Sequence, residues 1–205
     1  MLEIDAVINN VTDAVLFEIK AAWLREDVIL DDSPDELADS LNALYGVSNK
    51  KGERPKGVAQ LARIFNDLFA NPKAVWATPF SEARVFYPVL LVHDINLSAP
   101  AFGDFLNKRF QELLNKPPNG KRVAPLIVMT IDDLEKLETS VTNFALRDLL
   151  ANYDSAIPDR IQTLHNFAIR SSFASGFVPN QSLIAISDEV ITTAIRELYP
   201  KFEEG

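Results

Sequence analysis

The chain has 205 residues, 47% hydrophobic and 24% charged, with a net charge of −9, which is the make-up of one globular domain, with or without an appendage, large enough to bury a core. It has no cysteine and two histidines, His93 and His165, which excludes disulfides and thiolate zinc sites and argues against a histidine-rich metal centre. The acidic balance argues against a protein that coats nucleic acid through many phosphate contacts, no apolar run reaches the roughly 18 residues of a membrane span, and residues 1–5 carry no basic or apolar leader, so the cytoplasm is the expected compartment.

The first predicted elements are two strands. Residues 3–8 alternate Glu3, Asp5 and Val7 with Ile4, Ala6 and Ile8, and residues 14–21 place Glu18 and Lys20 on one face and Val15, Phe17 and Ile19 on the other. The Asn, Thr and Asp between them are turn formers. A loop at residues 10–13 pairs Asn9 with Ala14, and the same register sets Asp5 opposite Glu18 and Glu3 opposite Lys20, with Cβ atoms about 5 Å apart. Three carboxylates and an ammonium then share one patch of sheet. The flanks (Ile4, Ile8, Val15, Phe17, Ile19, Ala21 and Trp23) are those of a buried strand, where charge calls for a partner or a function. Crowded carboxylates raise each other's pKa, and a hard divalent cation such as Mg²⁺ removes that conflict. A lysine beside it can orient water or offset developing negative charge. The plain alternative is an exposed hairpin with cross-strand ion pairs.

The second strand is expected to end near Leu24. Ser33 then caps a helix over residues 33–44, with Pro34 at its first position and Glu36 at its third. Residues 49–56 read as a loop whose Lys50, Lys51, Arg54 and Lys56 are the densest basic cluster in the chain, either a solvated loop or a phosphate-binding one. Residues 57–70 are an amphipathic helix with Val58, Leu61, Ile64, Phe65 and Leu68 on one face and Gln60 in the first turn, ended by Asn71 and Pro72. Residues 84–92 are a nearly continuous apolar run, the mark of a strand covered on both faces. Pro88 within it requires a bulge or a free edge. His93 and Asp94 at its end fit a cap of the following turn better than metal ligands.

A helix over 100–115 follows, closed by residues 117–120, and then a second buried strand over 123–129. Thr130 and Asp133 form a capping box for a helix to about residue 139, which leaves Asp132 and Asp133 no chemistry to explain. Helices are expected over 141–152 and 158–173, an edge strand over 182–186, and a final helix capped by Ser187 with Val190, Ile191, Ile195 and Leu198 on one side.

The spacing D-x12-E-I-K over Asp5, Glu18 and Lys20, set among apolar residues, resembles the PD-(D/E)XK, or restriction-endonuclease-like, nuclease superfamily. The resemblance implies that Asp5, Glu18 and the Ile19 carbonyl hold Mg²⁺ or Mn²⁺ and that Lys20 assists the attacking water. Gln60 matches the polar residue that the following helix often turns to the site; a surface glutamine is the alternative. Lys50, Lys51, Arg54 and Lys56 would contact nucleic acid. The implied fold class is α/β, a mixed central sheet flanked by helices, with a restriction-endonuclease-like core over residues 1–95 and a mostly helical α/β extension over 96–205. The superfamily core runs helix, strand, Asp strand, E-x-K strand, helix, strand. Residues 2–8, 14–24, 57–70 and 84–93 correspond to the last four, and the helix at 33–44 is an insertion. The opening helix and strand have no counterpart here, so a fragment of a longer nuclease, a homodimer or a further protein segment covering the sheet is expected. The implied activity is metal-dependent cleavage of DNA, as in a defence or restriction system. The second reading is a non-catalytic binding module on the same fold.

Overall fold

The computed structural model describes residues 4–30, 33–46, 55–140, 143–156, 164–176, 178 and 180–198. Five strands form one mixed sheet: β1 (Ala6–Asn9), β2 (Asp13–Lys20), β3 (Val85–Val92), β4 (Arg122–Val123) and β5 (Ile127–Thr130). β1 pairs antiparallel with β2, β2 pairs parallel with β3, and β4 and β5 both lie parallel to β3 on its other side. A parallel pair needs a crossover. Between β2 and β3 it comprises α1 (Glu26–Leu30), α2 (Pro34–Tyr45), α3 (Gly57–Ala70) and a 3-10 turn at Val75–Phe80. α4 (Pro100–Leu113) connects β3 to β4, and α5 (Ile131–Glu138), α6 (Leu146–Ala156), α7 (Leu164–Arg170) and α8 (Gln181–Leu198) follow β5. No described helix is long and apolar enough to cross a membrane.

The hairpin has the register expected from its turn, with Asn9 opposite Ala14. The loop is closed by the Asn10 N–H on the Asp13 carbonyl at 2.8 Å. Alternation along β2 and β3 then sorts the core into two clusters. Ala14, Leu16, Phe86, Leu90 and Val92 meet Val58, Leu61, Ile64, Phe65 and Leu68 of α3 and Leu106 and Phe110 of α4. Val15, Phe17, Tyr87, Val89 and Leu91 meet Leu137 of α5, Leu149, Leu150 and Tyr153 of α6, and Leu164 and Phe167 of α7. Helices on both faces are the reason β3 reads as an unbroken apolar run. Phe65 is the hinge of the first cluster, its ring edge-on to Phe86 at 5.9 Å and to Phe110 at 6.0 Å.

Pro88 sits where the sheet has a gap. The Arg84 and Phe86 carbonyls accept N–H groups from Arg122 and Ala124 at 2.7 and 2.8 Å. By alternation Pro88 turns its nitrogen to that same side, beside residues 124–126, which leave the ladder. The single strand expected over 123–129 is therefore two short ones. The break contains Pro125, which has no N–H to offer, and the Leu126 N–H goes instead to the Asn107 side chain at 2.8 Å.

Other expectations need correction. The strand expected to reach Leu24 stops at Lys20, because the backbone beyond it bonds elsewhere: the Ala22 carbonyl accepts from the Tyr45 hydroxyl at 2.5 Å and the Leu24 N–H donates to Asp94 at 2.7 Å. The helix expected from residue 141 begins at Leu146. Residues 182–186 are not an edge strand but the first turns of α8. Asn180, not Ser187, caps it, accepting the N–H groups of Ser182 and Leu183 at 3.1 and 3.3 Å. A short apolar run does not distinguish strand from helix by periodicity, and the cap decides it.

α3 begins as expected, and its first residue could be nothing but glycine. Gly57 has a φ of +52°, and a Cβ there would lie 2.2 Å from the Tyr45 carbonyl oxygen at the end of α2. Gly57→Ala is expected to cost about 2–4 kcal/mol, from the left-handed backbone plus a clash with main chain that cannot rotate away. A thermal melt of the variant overlapping that of the wild type would show that the two helix ends do not meet this closely.

Candidate active site at the end of strand β2

Glu18 is the centre of the site. It lies two residues from the end of β2, on the α3 face, with 0% of its surface exposed. Its backbone neighbours explain the burial: Leu16 precedes it on that face, Leu90 is its partner on β3, and α3 covers both. Its carboxylate touches the Lys20 ammonium, which is 23% exposed, and the Gly57 N–H at the start of α3 faces it. The Lys20 contact is an ion pair rather than a directed hydrogen bond, and neither Glu18 oxygen accepts a well-formed hydrogen bond among the described residues. Burial pushes the Glu18 carboxyl above the ordinary range. Lys20 opposes that shift, the nearby Asp5 charge adds to it, and the Gly57 N–H opposes it weakly.

Asp5 comes level with Glu18 when the β1–β2 register is carried one residue past Ala6. It lies just outside the ladder, exposed, and accepts the Ile19 N–H at 2.7 Å. Asp5, Glu18, Ile19 and Lys20 thus occupy one short stretch of sheet, with Gly57 at the start of α3 beside it. Gln60 lies in the first turn of α3, partly buried, and Lys56 is exposed immediately before it. Glu3 and the basic residues Lys50, Lys51 and Arg54 fall outside the described residues.

The donor set suits a hard cation in kind, since Asp5, Glu18 and the Ile19 carbonyl all offer oxygen. The buried Glu18 oxygens that lack directed hydrogen bonds fit that role. Among the described residues the side chains at this place supply two acids, Asp5 and Glu18, and no group of three or more His, Cys, Asp or Glu residues suited to a metal occurs.

Asp94 is a cap and not a ligand, as its position in the sequence suggested. It is fully buried, takes the Leu24 N–H with one oxygen, and with the other takes the Asn96 N–H at 3.0 Å and the Asn96 side-chain amide at 2.8 Å. Tyr45 stands near it, and burial together with the Asp94 charge raises its phenol well above the ordinary value, so it stays a neutral donor to Ala22. Sequence reasoning missed this pair because the partners are about seventy residues and about twenty residues apart in the chain. Together they hold the segment that leaves Lys20. Asp94→Ala is expected to destabilise the fold by about 1–3 kcal/mol by orphaning the buried Leu24 N–H and uncapping the turn at 95–98. Denaturant unfolding measures it, and an unchanged midpoint would show that water replaces the carboxylate.

The fold so defined is an α/β protein with a mixed five-stranded sheet and helices on both faces. No protein-family model, curated protein or solved structure matches the chain.

Proposed function

We propose that the chain is a metal-dependent nuclease that hydrolyses the phosphodiester backbone of DNA at the Glu18–Lys20 end of β2. The observation that supports this best is Glu18 itself: a carboxylate with no exposed surface, no well-directed hydrogen bond, a lysine against it and a second acid one register step away. Burying a charge on those terms works against stability, and such expense is usual at functional sites. The order of elements also supports it, with the hairpin followed by a crossover through α3 to a parallel strand, as in the superfamily that the Asp5, Glu18 and Lys20 spacing resembles.

Asp5, Glu18 and the Ile19 carbonyl would hold Mg²⁺ or Mn²⁺, whose chemistry is to polarise a phosphoryl oxygen and make bound water more acidic. Lys20 is partly exposed beside Glu18, so its ammonium can turn outward to orient the attacking water or offset charge on the phosphate. The N-terminal end of α3, with the Gly57 N–H facing the site, adds a positive field. Gln60, in the first turn of α3, would face the site from that side, and Lys56, with Lys50, Lys51 and Arg54 from the sequence, would draw in the phosphate backbone. A place in a defence or restriction system is part of the same proposal.

The test is cleavage of linear and supercoiled DNA with and without Mg²⁺ or Mn²⁺, alongside the thermal shift each ion causes. Metal-dependent cutting and a rise in melting temperature support the reading. The absence of both effects would overturn this reading in favour of the second, a non-catalytic binding module on this fold, which the net charge of −9 favours.

A further inference from the structure

A cavity of about 300 Å³ lies at the end of α3 away from Glu18. Leu68 and Phe69 in the last turn of α3 form one wall, Ala77 and Phe80 of the 3-10 turn a second, and the loop bearing Lys121 a third. Gly57, which faces Glu18, and Leu68 are near opposite ends of α3, roughly 16 Å apart along its axis at about 1.5 Å per residue. The two places are therefore separate. The walls are tied to one another without a ligand. The Lys121 ammonium donates to the Phe80 and Ser81 carbonyls, each at 3.2 Å, and to the Ala83 carbonyl at 2.8 Å. The Lys121 N–H closes its own turn on the Pro118 carbonyl at 3.1 Å, and the Asn9 side-chain amide donates to the Pro79 carbonyl at 2.6 Å. A cavity held in this way is formed in advance of binding, which lowers the cost of filling it.

Its lining is mostly apolar, with one cation. Leu68, Ala77 and Phe80 are buried and Phe69 is half-buried. The Phe69 and Phe80 rings both rest on Phe86, so the apolar walls are backed by the core. Such walls take an apolar or aromatic body. The volume of about 300 Å³ equals about ten waters at ~30 Å³ each, room for a body of about ten heavy atoms. Lys121 supplies the charge. Its three hydrogen-bond partners are carbonyls, which are dipoles, and it forms no ion pair among the described residues. Two of those bonds are at the long end of the usual range. A carboxylate can replace one of them with a shorter, charge-assisted bond. Burial lowers the Lys121 pKa and the Glu82 charge opposes that shift, the direction expected of a cation short of a counter-ion.

We propose that this cavity is a second binding site, apart from the Glu18 site, for a small molecule with an apolar, ring-sized body and one carboxylate. The body would lie among Leu68, Phe69, Ala77 and Phe80, and the carboxylate on Lys121. The assignment stands whether or not the chain is a nuclease.

The experiment is isothermal titration calorimetry of the full chain with three probes of one shape: 3-phenylpropionate, 3-phenylpropan-1-ol and 3-phenylpropylamine. The carboxylate should bind with a Kd on the order of a millimolar or tighter. It should bind about tenfold tighter than the alcohol, and the amine should bind weakest. Lys121→Met keeps the length of the stem and should bring the carboxylate down to the affinity of the alcohol. That variant also loses three hydrogen bonds, so a second one leaves them in place. Ser81 is exposed and lines the cavity, and Ser81→Trp should fill it and remove binding of both the carboxylate and the alcohol. Circular dichroism should show the Ser81→Trp chain folded. Equal affinities for the three probes, no binding of the carboxylate, a charge preference kept by Lys121→Met, or carboxylate binding unchanged by Ser81→Trp would each overturn the proposal.

Discussion

Replacing Lys20 with alanine is expected to lower metal-dependent DNA cleavage by a factor on the order of 10²–10⁴, the usual contribution of a positioned proton-transfer or charge-stabilising group. The site's geometry fixes what else must change. Glu18 has no exposed surface and Lys20 is its charge partner, so the single variant leaves a buried carboxylate without its cation. The carboxylate can bind a proton instead, which limits the loss of stability and keeps the chain folded at the cost of a lower melting temperature. The chain carrying both Glu18→Gln and Lys20→Ala should recover that stability and remain inactive. Recovery of stability would show that the loss in the single variant comes from the unpaired Glu18 charge, whereas the role of Lys20 in cleavage is read from the single variant alone. A Lys20→Ala chain that cuts DNA at the wild-type rate would sink the proposed role.

Glu18→Gln is expected to abolish cleavage and yet make the protein more stable at neutral pH, by about 1 kcal/mol, because it removes a charge whose burial is poorly compensated. The sign follows from the carboxyl's raised pKa. The folded chain holds the Glu18 proton more tightly than the unfolded chain does. Stability is therefore lost as pH rises from the ordinary carboxylate value of 4.5 through the folded-state value. Below that window both states are protonated and the penalty is absent. The wild type should accordingly approach the variant in stability as the pH is lowered, so far as this group is concerned. Urea unfolding of both proteins at several pH values measures the difference. A variant less stable than the wild type at neutral pH would mean that Glu18 is a structural residue held by bonds stronger than its geometry indicates.

Much of the path to this site was legible along the chain. Alternation in residues 14–20 and the turn formers at 10–13 set the hairpin register. Periodicity located α3 from Gly57 to Ala70. The Ser33 cap and the Thr130–Asp133 capping box marked helix starts at Pro34 and Ile131. These are local signals, carried by residues a few positions apart. Where a local signal was ambiguous, the reading failed. The apolar run at 182–186 carries no period long enough to choose between strand and helix, and Asn180 made it a helix. The run at 123–129 gave no sign that Pro125 would meet the side of β3 that Pro88 leaves without a donor.

The sequence by itself determined that Glu18 and Lys20 share a strand face and that Asp5 comes level with Glu18, through a two-residue repeat and a short turn, and that β3 is covered on both sides, through its continuous apolar run. Only the tertiary structure decided that Glu18 is wholly buried and in contact with Lys20, that Gly57 closes the site from α3, and that Tyr45 and Asp94 hold the segment bearing Trp23. Those facts depend on which helix covers which face and on hydrogen bonds between residues far apart in the chain. Packing of the crossover against the sheet creates them, and no pattern within a few residues of Glu18 encodes them.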